Sequence, residues 1–308
     1  MKNNFNYFTN GLQIDSEIEL PELSVGQGDK KIYVILSEID KQLEEIVYQD
    51  KFQQISKSAY QLDIKDIALY RFTFPDKVEV TPYPDAKMYE VRLYLIASII
   101  PVAVLINDFI PIHSCCIHVQ GKAYLVGGES GAGKSTLALG MYNKGYEVLN
   151  DDVSTVSFDV DGKAIAYTGF KHIKLWEESL DQYNLIPSSF EKIKDDMSKY
   201  RFPIQQLISK QHIPIKAIYL FKHDDEKKEV SFKQLKGIKA ITELTKNTFR
   251  IELIGVLQKK ISHFEKCVKL ANQLNIIQVS RPSAMKAKEF ADIMEQEFIK
   301  SSVDKKYE

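Results

Sequence analysis

The chain has 308 residues, of which 44% are hydrophobic and 27% are charged, so it can bury a core in one large domain or in two. Its 41 basic and 42 acidic residues give a formal net charge of −1, which predicts no general attraction to nucleic acid or to an anionic membrane surface. The three cysteines, Cys115, Cys116 and Cys267, fit neither a disulfide framework nor zinc-ligand spacing. The start of the chain lacks the apolar core of a signal peptide, and we expect a cytoplasmic protein.

Residues 1–110 are predicted to form a smaller β-rich module that ends in an apolar helix. Its clearest strands are predicted at residues 67–74 and 77–81. From Met88, apolar residues recur at helical spacing. The most apolar run, 93–106, contains Pro101 and is too short to span a bilayer, so we expect a buried helix and no membrane contact. This module carries little catalytic chemistry, and the sequence leaves its role open.

A glycine-rich segment, Gly128–Ser135, has the pattern G-x-x-x-x-G-K-[ST], which is typical of a phosphate-binding P-loop. An apolar run at 123–126 predicts a strand before it, and helical spacing after it predicts a helix that ends near Gly145. Such glycines let backbone N–H groups point at phosphate oxygens, and the helix N-terminus adds positive potential. Lys134 would meet the β- and γ-phosphates of ATP, and Ser135 would ligate Mg²⁺. The residues expected to contact the nucleotide are Gly128, Glu129, Ser130, Gly131, Ala132, Gly133, Lys134, Ser135 and Thr136.

An apolar strand that ends in two carboxylates, Asp151 and Asp152, follows the P-loop helix. A Mg²⁺-coordinating aspartate is expected at this place, at the end of a strand that neighbours the P-loop strand. Two carboxylates could divide metal ligation from proton transfer. Before the P-loop, residues 112–119 are predicted to be a strand that carries His113. A strand histidine is usually packed or solvated, so the residues alone leave the role of His113 open.

The remainder of the chain is predicted to contain alternating helices and strands. Residues 178–212 are polar and are expected to be helix and loop. Further elements are predicted as a strand at 215–221, an amphipathic helix at 237–254, a helix to about 274, a strand at 276–280 and a helix to about 300. These close a second domain at 111–300, and the tail at 301–308 is expected to fray. Four cations, Lys171, Lys174, Arg201 and Arg250, could read a carboxylate or could be ordinary surface residues.

Three of these features together resemble the HPr serine kinase family. They are His113 in Ile-His-Ser, the loop Gly-Glu-Ser-Gly-Ala-Gly-Lys-Ser, and the strand Gly-Tyr-Glu-Val-Leu-Asn-Asp-Asp-Val. The resemblance implies an α/β fold with a P-loop kinase core of the HPr kinase/phosphoenolpyruvate carboxykinase type, behind the β-rich α+β N-terminal module. A closer resemblance is to the branch found beside peptide-maturation genes, carried by residues 11–23, Lys-Leu-Trp at 174–176 and Asn-x-x-Arg at 247–250.

This resemblance implies a catalytic set of Asp151, Asp152, His113 and Lys134, and metal ligation by Ser135, Asp151 and Asp152. His113 would lie near the transferring phosphoryl group. The order in which the two aspartates divide metal ligation and hydroxyl activation stays open. A Gly-Arg-Asn-x-Ala-like loop, which is linked to phosphorolysis in HPr kinase, is not found. Reverse phosphorylase activity and HPr itself as substrate are therefore not expected.

The hypothesis is an ATP- and Mg²⁺-dependent serine kinase. In the branch that the chain resembles, some members phosphorylate the C-terminal serine of a lasso-peptide precursor and others are thought to act on free serine, so a peptide precursor is the expected partner and a small hydroxyl compound the alternative. A non-catalytic, ATP-gated peptide-binding protein is the second alternative. The preference for ATP over GTP stays open, and the family resemblance favours a homo-oligomer without establishing one.

Overall fold

The structure is a computed structural model that describes residues 4–28, 30–40, 42–194, 197–205, 211–224 and 226–303. Backbone packing divides the chain into two units. The first comprises Met1–Ile110 and Arg250–His263, and the second comprises Pro111–Phe249 and Phe264–Glu308. The predicted domains at 1–110 and 111–300 stay a prediction, since compact units of backbone are not evidence of separate function.

The first unit is built on a mixed sheet. Its strands are β1 (Phe5–Thr9), β2 (Leu12–Ser16), β3 (Lys30–Leu36), β4 (Tyr48–Gln49), β5 (Gln53–Ile55), β6 (Ala59–Ile64), β7 (Ala68–Thr73) and β8 (Lys77–Pro82). Within the described ranges these eight strands pair in the order β1-β2-β3-β8-β7-β6-β5-β4. β3 pairs parallel with β2 and β8, and the other pairs are antiparallel. The predicted strands at 67–74 and 77–81 are confirmed by β7 and β8, which pair with each other and bury Tyr70, Phe72, Val78 and Val80.

A long helical segment follows this sheet. It runs from α1 (Met88–Tyr94) through a π-helical turn (Leu95–Ile99) into α2 (Ile100–Ile106). Pro101 does not interrupt it, because it lies in the first turn of α2, next to the widened π-helical turn. The helix is therefore 19 residues long and, by length and composition alone, could cross a membrane, which corrects the expectation that it is too short. Of its most apolar window, 61% is buried, as expected for a core helix.

From residue 110 onward, strands and helices mix. The strands are β9 (Ile110–Ile112), β10 (Ser114–Val119), β11 (Lys122–Gly128), β12 (Glu147–Asn150), β13 (Ser154–Phe158), β14 (Ala164–Tyr167), β15 (His172–Trp176), β16 (Glu191–Lys192), β17 (Lys199–Pro203), β18 (His212–His223), β19 (Ser231–Leu235) and β20 (Asn275–Arg281). The helices are α3 (Lys134–Asn143), α4 (Glu177–Asp181), α5 (Ile238–Lys246), α6 (Ile251–Val256), α7 (Lys260–Gln273) and α8 (Ala287–Val303), with a 3₁₀ turn at Pro187–Ser189.

The main sheet of the second unit places the P-loop strand at its centre. Seven of its strands pair in the order β12-β10-β11-β18-β14-β13-β9. In addition, β20 pairs with β18, and β19 pairs with β20. β11 pairs antiparallel with β10 and parallel with β18, so its apolar run is buried from Ala123 to Gly128. Alternate residues of β11 and β18, among them Tyr124, Val126 and Tyr219, share one core with α3 and α8.

The position of the aspartate strand differs from its prediction. β12 does not neighbour β11, because β10 lies between them and pairs antiparallel with both. The reason is the tight turn at Gln120–Gly121, which folds β10 back along β11 and occupies that edge. Two antiparallel steps make β12 run in the same direction as β11. The carboxyl end of β12 therefore still reaches the end of the sheet that carries the P-loop.

Other predicted boundaries also need correction. The strand predicted at 112–119 is interrupted at His113, between β9 and β10, and the described part of 178–212 contains the strands β16 and β17. The helix predicted at 237–254 is broken into α5 and α6, since Arg250 adopts a left-handed φ of 52°. Residues 301–303 of the predicted frayed tail continue α8, and 304–308 lie outside the described residues.

Candidate active site

The glycine-rich segment forms a loop that wraps the start of α3. Gly128, Gly131 and Gly133 all have positive φ, at 132°, 83° and 91°. Gly128 has a second constraint, because a Cβ built on it would lie 2.6 Å from the carbonyl oxygen of Phe221 on β18. The backbone at residue 128 can therefore pass this close to Phe221, as the chain leaves β11, only if residue 128 has no side chain. The result is a concave backbone turn that leads into a helix N-terminus, which is a general anion-binding geometry.

Lys134 and Ser135 project from the first turn of α3 into this turn. The Nζ of Lys134 donates to the carbonyl oxygens of Gly128 (2.8 Å) and Glu129 (3.0 Å). The Oγ of Ser135 donates to Oδ1 of Asp151 at 2.9 Å. Burial lowers the pKa of Lys134, against the raising effect of nearby acidic groups. The ammonium is held at the mouth of the loop by two carbonyls that an anionic ligand can replace.

The two aspartates have different environments. Asp151 is buried, and its Oδ2 also accepts the backbone N–H of Lys174 at 2.8 Å. Burial raises the pKa of Asp151, and the charge of Asp152 raises it further. Burial would also raise the pKa of Asp152, but the ammonium of Lys174, 2.9 Å from Oδ2, holds that pKa well below its usual range. Asp151 is thus tied to the P-loop helix, and the charged form of Asp152 is stabilised by the ammonium of Lys174.

His113 lies beside Asp152. Its Nδ1 is 2.8 Å from the Asp152 carbonyl oxygen and 3.5 Å from Oδ1. A carbonyl oxygen only accepts, so Nδ1 carries the proton of this hydrogen bond and Nε2 is the free nitrogen of the neutral ring. Burial lowers the pKa of His113, and the charge of Lys134 lowers it further. Asp152 itself adopts a φ of 75°, a conformation that aspartate tolerates and that turns the chain sharply at the end of β12.

Asn247 fixes the entrance of the loop from the other side. Its Oδ1 accepts the backbone N–H of Gly128 at 2.8 Å, and its Nδ2 donates to the carbonyl oxygen of Glu243 at 2.8 Å. Its carbonyl oxygen accepts the N–H of His113 at 2.7 Å. One residue at the end of α5 therefore holds both the P-loop and the histidine segment. In the sequence, the only signal for this role is the Asn-x-x-Arg pattern at 247–250.

A cavity of 590 Å³ adjoins the loop. Its lining includes residues of the loop and of the segments around it: His113, Gly128, Glu129, Ser130, Lys222, His223, Asn247 and Gln278. Its volume falls within the usual range of small-molecule sites, roughly 300–1,000 Å³. A nucleotide whose phosphates lie on the loop has space beside it.

The structure brings the predicted catalytic set together, whereas of the four cations that could bind a carboxylate only Lys174 and Arg201 lie side by side, as a cross-strand pair of β15 and β17. Asp151, Asp152, His113 and Lys134 surround the start of α3, while Glu129 and Ser130 line the cavity and Thr136 bonds to Ser179 at 2.8 Å. Of the four cations, Lys174 pairs with Asp152, and Arg201 pairs with Glu191 at 3.0 Å. Lys171 is exposed, and Arg250 belongs to the first unit.

The oxygen atoms at this site suit Mg²⁺. Ser135 and Asp151 offer a hydroxyl and a carboxylate oxygen 2.9 Å apart, and Mg²⁺ is commonly held by one or two such groups together with phosphates and water. In the part of the chain that the structure describes, no group of three or more His, Cys, Asp or Glu side chains could hold a metal ion.

Comparison with known proteins gives little beyond this geometry. No protein-family model matches the chain, and no curated protein matches it. Among solved structures, the Hpr(Ser) kinase/phosphatase from Coxiella burnetii is similar, with a TM-score of 0.33 and 9% sequence identity, covering 62% of this chain and 98% of that chain. A similarity of this extent does not establish shared function or equivalent residues.

Proposed function

We propose that this chain is a Mg²⁺-dependent kinase that transfers the γ-phosphoryl group of ATP to a serine hydroxyl. The expected acceptor is the C-terminal serine of a lasso-peptide precursor, as the sequence resemblance implies, with free serine as the alternative. The observation that carries the proposal is the bond of Ser135 on the P-loop helix to Asp151, directly before the ionised Asp152. A phosphate cradle alone serves binding, whereas a second carboxylate beside it serves transfer.

Each residue then has a distinct task. The backbone N–H groups of the loop and Lys134 would bind the phosphate oxygens, and Lys134 would exchange its two carbonyl partners for them. Ser135 and Asp151 would hold Mg²⁺, which supplies charge neutralisation at the β- and γ-phosphates. His113, neutral and hydrogen-bonded to the Asp152 carbonyl, would fix the turn that presents the Asp152 carboxylate.

Phosphoryl transfer in this proposal forms one bond to phosphorus and breaks another. The acceptor oxygen forms a bond to the γ-phosphorus while the bond between that phosphorus and the bridging oxygen breaks, so ADP leaves. The acceptor proton passes to a carboxylate oxygen of Asp152 as the new bond forms. Because Lys174 lowers the pKa of Asp152, this transfer is expected late, when the hydroxyl is already strongly polarised. Asp151 takes no proton in this scheme.

The test is steady-state phosphorylation of a serine-terminated peptide and, separately, of free serine. Lys134→Ala should abolish transfer, because Lys134 is the one side-chain cation proposed to bind the transferred phosphoryl group. Asp152→Asn should lower kcat by at least about 10²-fold at saturating Mg²⁺, the usual scale for loss of a general base. Asp151→Asn should instead raise the Mg²⁺ concentration needed for half-maximal rate. Asp161→Asn, on a loop carboxylate that is 71% exposed, is the matched control.

Two results would overturn the proposal. Wild-type turnover in Lys134→Ala would remove the nucleotide assignment, and full activity in both aspartate variants would remove the catalytic one. Saturable ATP binding with no phosphorylated product from either acceptor would favour a nucleotide-gated binding protein instead.

A further inference from the structure

The small sheet of β15, β16 and β17 has one apolar and one polar face. The apolar residues that pack into the core of the second unit are Ile173, Leu175 and Tyr200. Side chains alternate along a strand, so the residues between them point the other way. This opposite face carries two cross-strand pairs, Lys174 with Arg201 and Trp176 with Lys199. Three of these four side chains are cations.

The polar face begins at the candidate catalytic carboxylates. Lys174 donates its backbone N–H to Asp151 and its ammonium to Asp152. Trp176 is two residues further along β15 on the same face, roughly 7 Å from Lys174 along the strand. A surface that carries cations and one indole ring therefore extends directly from the proposed site of phosphoryl transfer.

Lys199 differs from the other two cations in its partner. Lys174 is paired with Asp152 and Arg201 with Glu191, whereas the Nζ of Lys199 lies over the indole ring of Trp176, 5.3 Å from its centroid. Within the described ranges, no carboxylate lies in salt-bridge distance of Lys199. Trp176 is 42% exposed, although it is the single tryptophan of the chain. An aromatic ring that holds a cation in this way leaves the ammonium able to bind an anion.

The charge of Lys199 reaches the site. Burial has the largest effect on the pKa values of Asp152, His113 and Lys134, and other charged groups follow it. Among the smaller effects, the positive charge of Lys199 lowers the pKa of all three groups. This agrees with its position, since Lys199 lies opposite Trp176, two residues along β15 from Lys174, whose ammonium contacts Asp152.

We propose that Trp176 and Lys199 form the acceptor subsite and that Lys199 binds a carboxylate of the phosphoryl acceptor. The inference rests on the proposed kinase function and names its substrate class, a hydroxyl compound with a carboxylate a few bonds away. In an acceptor that ends in serine, the hydroxyl would meet Asp152 while the terminal carboxylate meets Lys199. The indole ring would pack against the aliphatic part of the acceptor and orient the ammonium.

The experiment compares one serine-terminated peptide as the free acid and as the C-terminal amide. It uses the full chain and its Lys199→Gln and Lys199→Arg variants, and it measures both phosphorylation and equilibrium binding. The wild type should prefer the acid by about 10- to 100-fold in kcat/KM, the scale of one hydrogen bond between charged groups. Lys199→Gln should remove this preference by raising KM for the acid alone, and Lys199→Arg should restore most of it.

The control is Lys192→Gln. Lys192 also lies over an aromatic ring of the same sheet, 6.0 Å from the centroid of Tyr200, but Tyr200 belongs to the apolar face. This variant should keep the preference for the acid, and the KM for ATP should stay unchanged in all variants.

The outcomes separate this inference from the proposed function. Equal phosphorylation of acid and amide by the wild type would overturn the inference and leave the kinase intact. A fall in kcat for both peptides in Lys199→Gln would assign Lys199 to the phosphoryl group and would also overturn it. If neither peptide is phosphorylated, Lys199-dependent tighter binding of the acid would support the subsite while refuting phosphoryl transfer to a serine-terminated peptide. Equal binding of both would refute both.

Discussion

Replacing Gly128 by alanine tests the close approach that shapes the P-loop. The new Cβ would lie 2.6 Å from the carbonyl oxygen and 3.1 Å from the nitrogen of Phe221, and both atoms belong to the backbone of a central strand. Strain at a φ that disfavours side chains costs about 1–3 kcal/mol, and overpacking adds about 1–3 kcal/mol. We expect the free energy of unfolding to fall by roughly 4 kcal/mol, which corresponds to a loss of about 10 °C in Tm.

Gly131→Ala is the matched control. Gly131 also has a positive φ, of 83°, but a Cβ on it would meet no atom within 4 Å. Only backbone strain applies there, so the expected loss is about 1–2 kcal/mol. Thermal and urea unfolding of both variants, with ATP binding measured by calorimetry, compares them directly. Equal stability of the two variants, within about 0.5 kcal/mol, would refute the argument that contact with Phe221 requires glycine at 128.

Two further predictions concern Asn247 and His172. Asn247→Ala should lower the free energy of unfolding by about 1–3 kcal/mol, because the N–H of Gly128 loses its hydrogen-bond acceptor. Denaturant unfolding measures this change in stability, and an unchanged unfolding midpoint would contradict the prediction. Burial, with two nearby cations, lowers the pKa of His172 from 6.5 to about 3. The unfolded chain thus binds more protons between these values, so stability should fall as the pH drops through this window, by up to about 1.4 kcal/mol per pH unit. His172→Asn should flatten this dependence, and an unchanged slope would show that His172 is not the group responsible.

Features that depend on local sequence were predictable. The P-loop turn, its preceding strand and its helix follow from glycine positions, one apolar run and a helical pattern that ends before Gly145. Each of these determinants lies within a few residues of the structure it specifies. The strand before the aspartates is predictable for the same reason. The grouping of the predicted catalytic residues around α3 follows from these elements, whereas their roles remain proposals.

Features that depend on distant pairing were not predictable. β12 pairs with β10 and not with β11, because the hairpin places β10 along that edge of β11. The pattern of apolar residues along the chain does not encode this pairing. Asn247 and Gly128 are 119 positions apart in sequence, so the residues near either one do not predict the hydrogen bond between them. Lys199 lies in a polar stretch that reads as helix and loop, and only the pairing of β17 with β15 brings it opposite Trp176. Period-2 patterns are weak in strands of five residues.

The most direct test of the central claim is fragment-ion mass spectrometry of a serine-terminated peptide incubated with the purified chain, ATP and Mg²⁺. We expect one phosphate group on the terminal serine side chain, which requires Mg²⁺ and is lost in Lys134→Ala. A wild-type protein that binds ATP but leaves both this peptide and free serine unmodified would contradict it.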